Sequence, residues 1–177
     1  FTPVEGYPSI AEVRKEPHQQ YNIGGNWHTD HSYDQIPALG SMLYAKELPK
    51  VGGDTLFAGC AAAFDTLSEG MKSTLRSLRA VHSSRHVFGK SAAIPDDMAD
   101  LFGNADKALQ DAEHPVVIKH PLSGRETLYV NPGFTTRFVG WTEKESNSLL
   151  AFLYEHISRP EHTYTVSYTH LTLPTIR

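Results

Sequence analysis

The sequence predicts a mainly β domain with helical inserts, best drawn as a two-sheet β jelly roll. Three observations carry this. Apolar runs are short and bounded by Gly, Pro, Asp and Ser, as at Thr55-Leu56-Phe57-Ala58 and Thr127-Leu128-Tyr129-Val130. Helical spacing is clear in only two stretches, one opening at Glu69 and one at Thr142. The 177 residues suit one domain, which at this size buries about 70% of the surface its unfolded chain exposes.

Residues 1–25 are rich in Pro, Gly and polar side chains, with Ile10-Ala11-Glu12-Val13 as one short strand. A strand carrying His28 and Asp30 follows, then a second over residues 38–48. Gly52-Gly53 marks a turn before the strand at residues 55–58. Ser68 reads as the N-cap of a helix over residues 69–78, with Met71, Leu75 and Leu78 on one face. Residues 79–87 read as extended. Residues 89–113 hold six acidic residues, Pro95 and Gly103, and read as an insertion that forms a lid over a site. His114-Pro115-Val116-Val117-Ile118 and residues 127–130 form a hairpin-like pair through Pro121-Leu122-Ser123-Gly124. Thr142 with Glu145 makes a capping box for a helix whose stripe is Leu149, Leu150, Leu153 and Ile157, ending before Pro160.

Sixteen basic against twenty acidic residues, a net charge of −4, give no reason to expect a nucleic-acid partner. No apolar run approaches the roughly 20 residues of a membrane span. The single cysteine, Cys60, cannot form an internal disulfide, and a reducing, cytoplasmic setting is expected. The chain opens at Phe1 without methionine and reads as a cut through a longer protein. Val166 to Arg177 has no cap, no amphipathic period and one charge, at its end. The expected organisation is therefore a partial domain over 1–165 and a non-native tail over 166–177.

The chemistry concentrates in Asn26-Trp27-His28-Thr29-Asp30. A histidine and a carboxylate two apart on a strand share a face. They would supply two corners of a 2-His-1-carboxylate face, which leaves positions on a ferrous ion open. Taken alone, the triplet reads more readily as a turn-capping aspartate beside a structural histidine. His82 and His86, four apart, resemble a helical zinc pair but lack a third ligand, so they read as core or surface histidines. A hydrolase is disfavoured because no Gly-x-Ser-x-Gly elbow is present.

Four ordered words, Asn26 to Asp30, Lys46-Glu47-Leu48-Pro49, Gly52-Gly53-Asp54-Thr55-Leu56 and Val130-Asn131-Pro132-Gly133-Phe134-Thr135-Thr136-Arg137, give the chain its resemblance. It resembles the taurine dioxygenase and 2,4-dichlorophenoxyacetate dioxygenase family of non-haem iron, 2-oxoglutarate-dependent oxygenases. The resemblance implies a double-stranded β-helix, the cupin-like jelly roll, here incomplete at its C-terminus. It implies Fe(II), 2-oxoglutarate and O2 as the reactive set, with 2-oxoglutarate decarboxylation coupled to hydroxylation of a small organic substrate. On the same resemblance His28 and Asp30 are iron ligands and Thr55 hydrogen-bonds 2-oxoglutarate, while Phe88 and Phe134 line the substrate pocket. The third ligand, a histidine, and a cofactor-anchoring arginine are expected beyond Arg177. His170 sits too early to replace that histidine, and the isolated chain is expected to be inactive. Taurine itself is disfavoured, because Thr2, Glu5 and Gly24 stand where its sulfonate-binding side chains would be. The remaining alternative is a jelly-roll protein that binds a small molecule or metal without catalysis. Homo-oligomers are allowed.

Overall fold

The computed structural model describes residues 3–22, 24–89, 92 and 108–167. Among these residues nine strands form four small antiparallel sheets. β1 (Pro3–Val4) pairs with β2 (Tyr7–Ala11), and β3 (Thr55–Ala58) pairs with β9 (Thr163–Val166). β4 (Arg79–Ser83) lies between β5 (Asp111–Pro115) and β8 (Thr135–Phe138). β6 (Val117–Lys119) pairs with β7 (Glu126–Leu128). The helices are α1 (Cys60–Asp65), α2 (Glu69–Arg76), α3 (Arg85–Phe88) and α4 (Glu143–Ile157).

Local chemistry explains the helices. Ser68 accepts a hydrogen bond from the Met71 amide and opens α2 as expected, although the helix stops at Arg76 rather than Leu78. At α4, the Thr142 side chain accepts from the Glu145 amide while the Glu145 carboxylate accepts from the Thr142 amide. Leu150, Leu153 and Ile157 of α4 turn inward, onto Phe64, Leu75, Ala80, Val116, Leu128 and Phe138. Ser146, wholly buried on the same helix, receives the Phe138 amide and donates to the Thr142 carbonyl. That one hydroxyl pins α4 to β8.

A second polar knot binds the far end of α4. The Thr66 hydroxyl lies 3.1 Å from Nε2 of both His156 and His162. His156 Nε2 donates to the Ala63 carbonyl and His162 Nδ1 donates to the His156 carbonyl. The turn at Pro160–His162 is thereby fixed, and β9 leaves it to pair with β3.

Several elements differ from the sequence reading. The strand expected over 10–13 runs Tyr7–Ala11 instead, as β2, and is preceded by the unexpected β1. The segment around His28 and Asp30 is not a strand: residues 30–33 form a turn, Ser32 N reaches Thr29 O, and His31 sits at φ 58°. Residues 38–48 also lack a strand, because no described strand pairs with them and Met42, Leu43 and Tyr44 point into solvent. Within 79–87, extension ends at Ser83 and α3 begins at Arg85. The core of the proposed lid, residues 93–107, and the tail from 168, including His170, lie outside the described residues. The strand at 55–58, the pairing of β6 with β7 and positive φ at both Gly52 and Gly53 agree with the sequence reading.

Candidate metal and cosubstrate site

Although His28 and Asp30 leave an irregular turn, their side chains converge: His28 Nε2 lies 3.2 Å from Asp30 Oδ1. His28 Nδ1 lies 2.7 Å from the Asn26 carbonyl. A carbonyl only accepts, so Nδ1 carries the hydrogen. In the neutral ring Nε2 is then a bare lone pair facing a carboxylate oxygen. That pair of acceptors is stable only with a cation or a proton between them.

A divalent ion fits this donor set. Two ligands about 2.1 Å from a metal and at right angles stand about 3 Å apart, which is the separation found here. The other contacts are those a bound ion needs from its surroundings. The Nδ1 hydrogen bond orients the ring, and the Ser41 hydroxyl donates to Asp30 Oδ2 at 2.7 Å, leaving Oδ1 for the metal. Among the described residues no third His, Cys, Asp or Glu joins the pair.

The ring is also moulded from outside. Gly133 presses on it so closely that a Cβ there would lie 2.7 Å from His28 Cβ, and Gly24, at φ +69°, leaves only 3.1 Å to His28 Cε1. Gly133 has no room for a side chain, and at Gly24 the positive φ disfavours one and the imidazole would have to give way by a few tenths of an ångström.

Next to His28 lies a cavity of about 160 Å³ bounded by Trp27, Leu56, Phe57, Ala58, Asn131 and Tyr154. Thr55, half-buried, opens the strand whose next three residues line it. Phe134 meets the His28 ring edge-on with centroids 6.4 Å apart. Phe88, at the end of α3, lies 5.8 Å from Phe134. Sequence reasoning missed the ring that joins them: Tyr33 sits 4.8 Å from Phe134 and 6.1 Å from Phe88, edge-on to both. Burial, then the charges of Asp34 and Asp30, push the Tyr33 hydroxyl up, so it stays protonated. Its spacing of three from Asp30 was the only sequence signal.

His82 and His86 do not form a pair. His82 is wholly buried on β4 against His114 and Tyr129, and His86 Nε2 donates to the Gly133 carbonyl. His31 turns away to Asp34, 2.8 Å from its carboxylate.

Residues 2–169 match the model of the taurine catabolism dioxygenase TauD, TfdA family, and the chain belongs to that family. It is 35% identical over 148 residues to the alpha-ketoglutarate-dependent dioxygenase cnsM of Penicillium expansum, covering 83% of this chain and 38% of that one. It is 35% identical over 142 residues to the alpha-ketoglutarate-dependent 2,4-dichlorophenoxyacetate dioxygenase of a Burkholderia species, covering 80% of this chain and 46% of that one. A crystal structure of a taurine dioxygenase from Burkholderia xenovorans superposes with a TM-score of 0.72 at 30% identity, over 93% of this chain and 52% of that one. The chain thus spans less than half the length of these two curated relatives.

Proposed function

We propose that this chain supplies the iron-binding turn and part of the cosubstrate pocket of an Fe(II)/2-oxoglutarate-dependent dioxygenase acting on a small organic molecule. The observation that carries this is the His28–Asp30 pair, with Nδ1 committed to Asn26 and Nε2 left facing Asp30 Oδ1 at 3.2 Å. Family membership supports the choice of iron and 2-oxoglutarate over other divalent-ion chemistry.

Each side chain has a defined duty. His28 Nε2 and Asp30 Oδ1 would hold the metal. Thr55 donates a hydrogen bond to the distal carboxylate of 2-oxoglutarate from the start of β3. Phe88, Phe134 and Tyr33 form an apolar wall that excludes water and holds the substrate C–H bond in place. When bound, the iron would let O2 act as the oxidant, with 2-oxoglutarate giving up two electrons as it is converted to succinate and CO2 and the substrate C–H bond giving up the other two. The substrate is a small organic acid or a more apolar molecule rather than taurine.

The test is iron-dependent succinate formation from 2-oxoglutarate by a polypeptide carrying this chain within the full span of its relatives. His28→Ala is expected to abolish it, and undiminished turnover would remove the site assignment. The 177-residue chain by itself, with two ligands among its described residues, is expected to form no succinate.

A further inference from the structure

Residues 24–50 form an almost wholly exposed stretch in which Ser32 alone is buried. His28 and Asp30 side chains are 33% and 51% exposed, whereas Ser32 is 0% exposed. Ser32 is thus the one fully buried residue of the turn that carries both donors, beside the half-buried Tyr33 that packs on Phe134. Ser32 has a single side-chain partner: Asn131 Nδ2 donates to Ser32 Oγ at 3.1 Å.

Asn131 is itself held rigidly. It is 5% exposed, its amide donates to Thr135 Oγ1 at 2.9 Å, and its Oδ1 accepts from the Phe134 amide at 2.9 Å. Both partners lie at the start of β8 and its approach, which is fixed to β4. The same turn presents Gly133 to the back of His28. One carboxamide thus links the sheet, the aromatic wall at Phe134 and the donor-bearing turn.

From this we infer that Asn131 is a positioning residue for the His28–Asp30 pair, acting through Ser32 rather than touching metal, cosubstrate or substrate. The inference rests on the reading of that pair as a metal site. Two further ties, His114 Nε2 donating to the Asp34 carbonyl and Gln35 donating to the Asp111 carbonyl, hold the exit of the turn. They keep residues beyond Asp34 attached when the Ser32 link is cut, so the loss is confined to the turn itself.

The experiment compares the unaltered chain with Asn131→Ala, Ser32→Ala, the double variant, and Asn131→Asp, in which the Ser32 hydroxyl can donate to the carboxylate. Two readouts are taken. The first is hydrogen exchange of the backbone amides of residues 28–34 relative to α4, which needs no metal. The second is Co(II) titration, followed by the affinity and the ligand-field spectrum of the bound ion. Exchange in the turn is expected to accelerate at least tenfold in each alanine variant with α4 unchanged. Co(II) affinity is expected to fall about 10- to 100-fold with an altered spectrum, as for loss of a residue that orients ligands. The double variant is expected to match the singles, and Asn131→Asp to recover most of the loss. Unchanged exchange in the turn of Ser32→Ala would overturn the inference, as would losses in the two singles that simply multiply. So would an unaltered Co(II) spectrum in variants whose only change is a lower melting point. Failure of the unaltered chain to bind Co(II) would instead count against the metal reading, and the exchange data would still decide whether Asn131 holds the turn.

Discussion

At the scale of single residues, the site depends on what is missing as much as on what is present. Gly133 lacks the methyl group that would collide with His28 Cβ at 2.7 Å and crowd Asn131 Oδ1 at 3.3 Å. Gly133→Ala should displace the imidazole, cost about 1–3 kcal/mol through overpacking, and weaken divalent-ion binding at least tenfold. Parallel melting and Co(II) titration would check this, and full affinity in a stable variant would contradict the moulding role. His28 and Asp30 were legible as a candidate pair, because their residue types suggest a metal face whatever the backbone does, and their side chains do lie 3.2 Å apart. Their backbone state was not legible. Alternation predicted a strand, but the segment is held by Asn131, 99 residues from Ser32, and by Asn26 two residues before His28. Contacts at such separations leave no local pattern. Tyr33 was missed for a related reason: it joins Phe88 and Phe134 only after α3 and β8 come together.

At the scale of elements, helices with chemical punctuation were the most legible parts of the chain. The Thr142–Glu145 box and the Leu150, Leu153 and Ile157 stripe of α4 occur where the sequence placed them. Donation from the Thr142 amide, and then from its hydroxyl, to the Glu145 carboxylate holds that carboxyl below its ordinary value, so the box is intact at neutral pH. Thr142→Ala is expected to lower stability by about 1 kcal/mol, read as a shift in the urea midpoint with little change in slope. A shift indistinguishable from zero would mean that the helix is held by Ser146 and its apolar face alone. Strands were less legible. Residues 38–48 have the composition of a strand but no ladder partner among the described residues, and composition does not reveal whether a partner strand is present. The small helix α3 interrupts an apolar run that carries no capping signal; Ser84, at its start, makes no side-chain cap.

At the scale of the whole molecule, the buried histidine of the central sheet links stability to acidity. His82 is 0% exposed with Nε2 unpartnered, and desolvation, with the neighbouring His114 second, lowers its pKa to about 4. The unfolded chain takes up this proton near pH 6.5, whereas the folded one refuses it until about pH 4. Stability from this group is therefore complete above pH 6.5 and declines as the pH falls through that window, by an amount on the order of 3 kcal/mol once pH 4 is reached. Urea midpoints between pH 6.5 and 5, above most carboxylate titration, should fall for the unaltered chain and stay flatter for His82→Gln. Equal slopes would assign the dependence elsewhere. Among the described residues no helix is long and apolar enough to cross a membrane.

The pairing of β3 with β9 joins segments more than a hundred residues apart, with Thr55 opposite Val166. Contacts that close so long a loop form late in folding and are among the first to open, because the entropy of closure must be met before the ladder forms. The hydroxyl proposed to grip 2-oxoglutarate is thus delivered by one of the last events in the maturation of the chain. The candidate pair His28 and Asp30 waits on a distant partner too, because its turn is tied through Ser32 to Asn131, 99 residues along the chain.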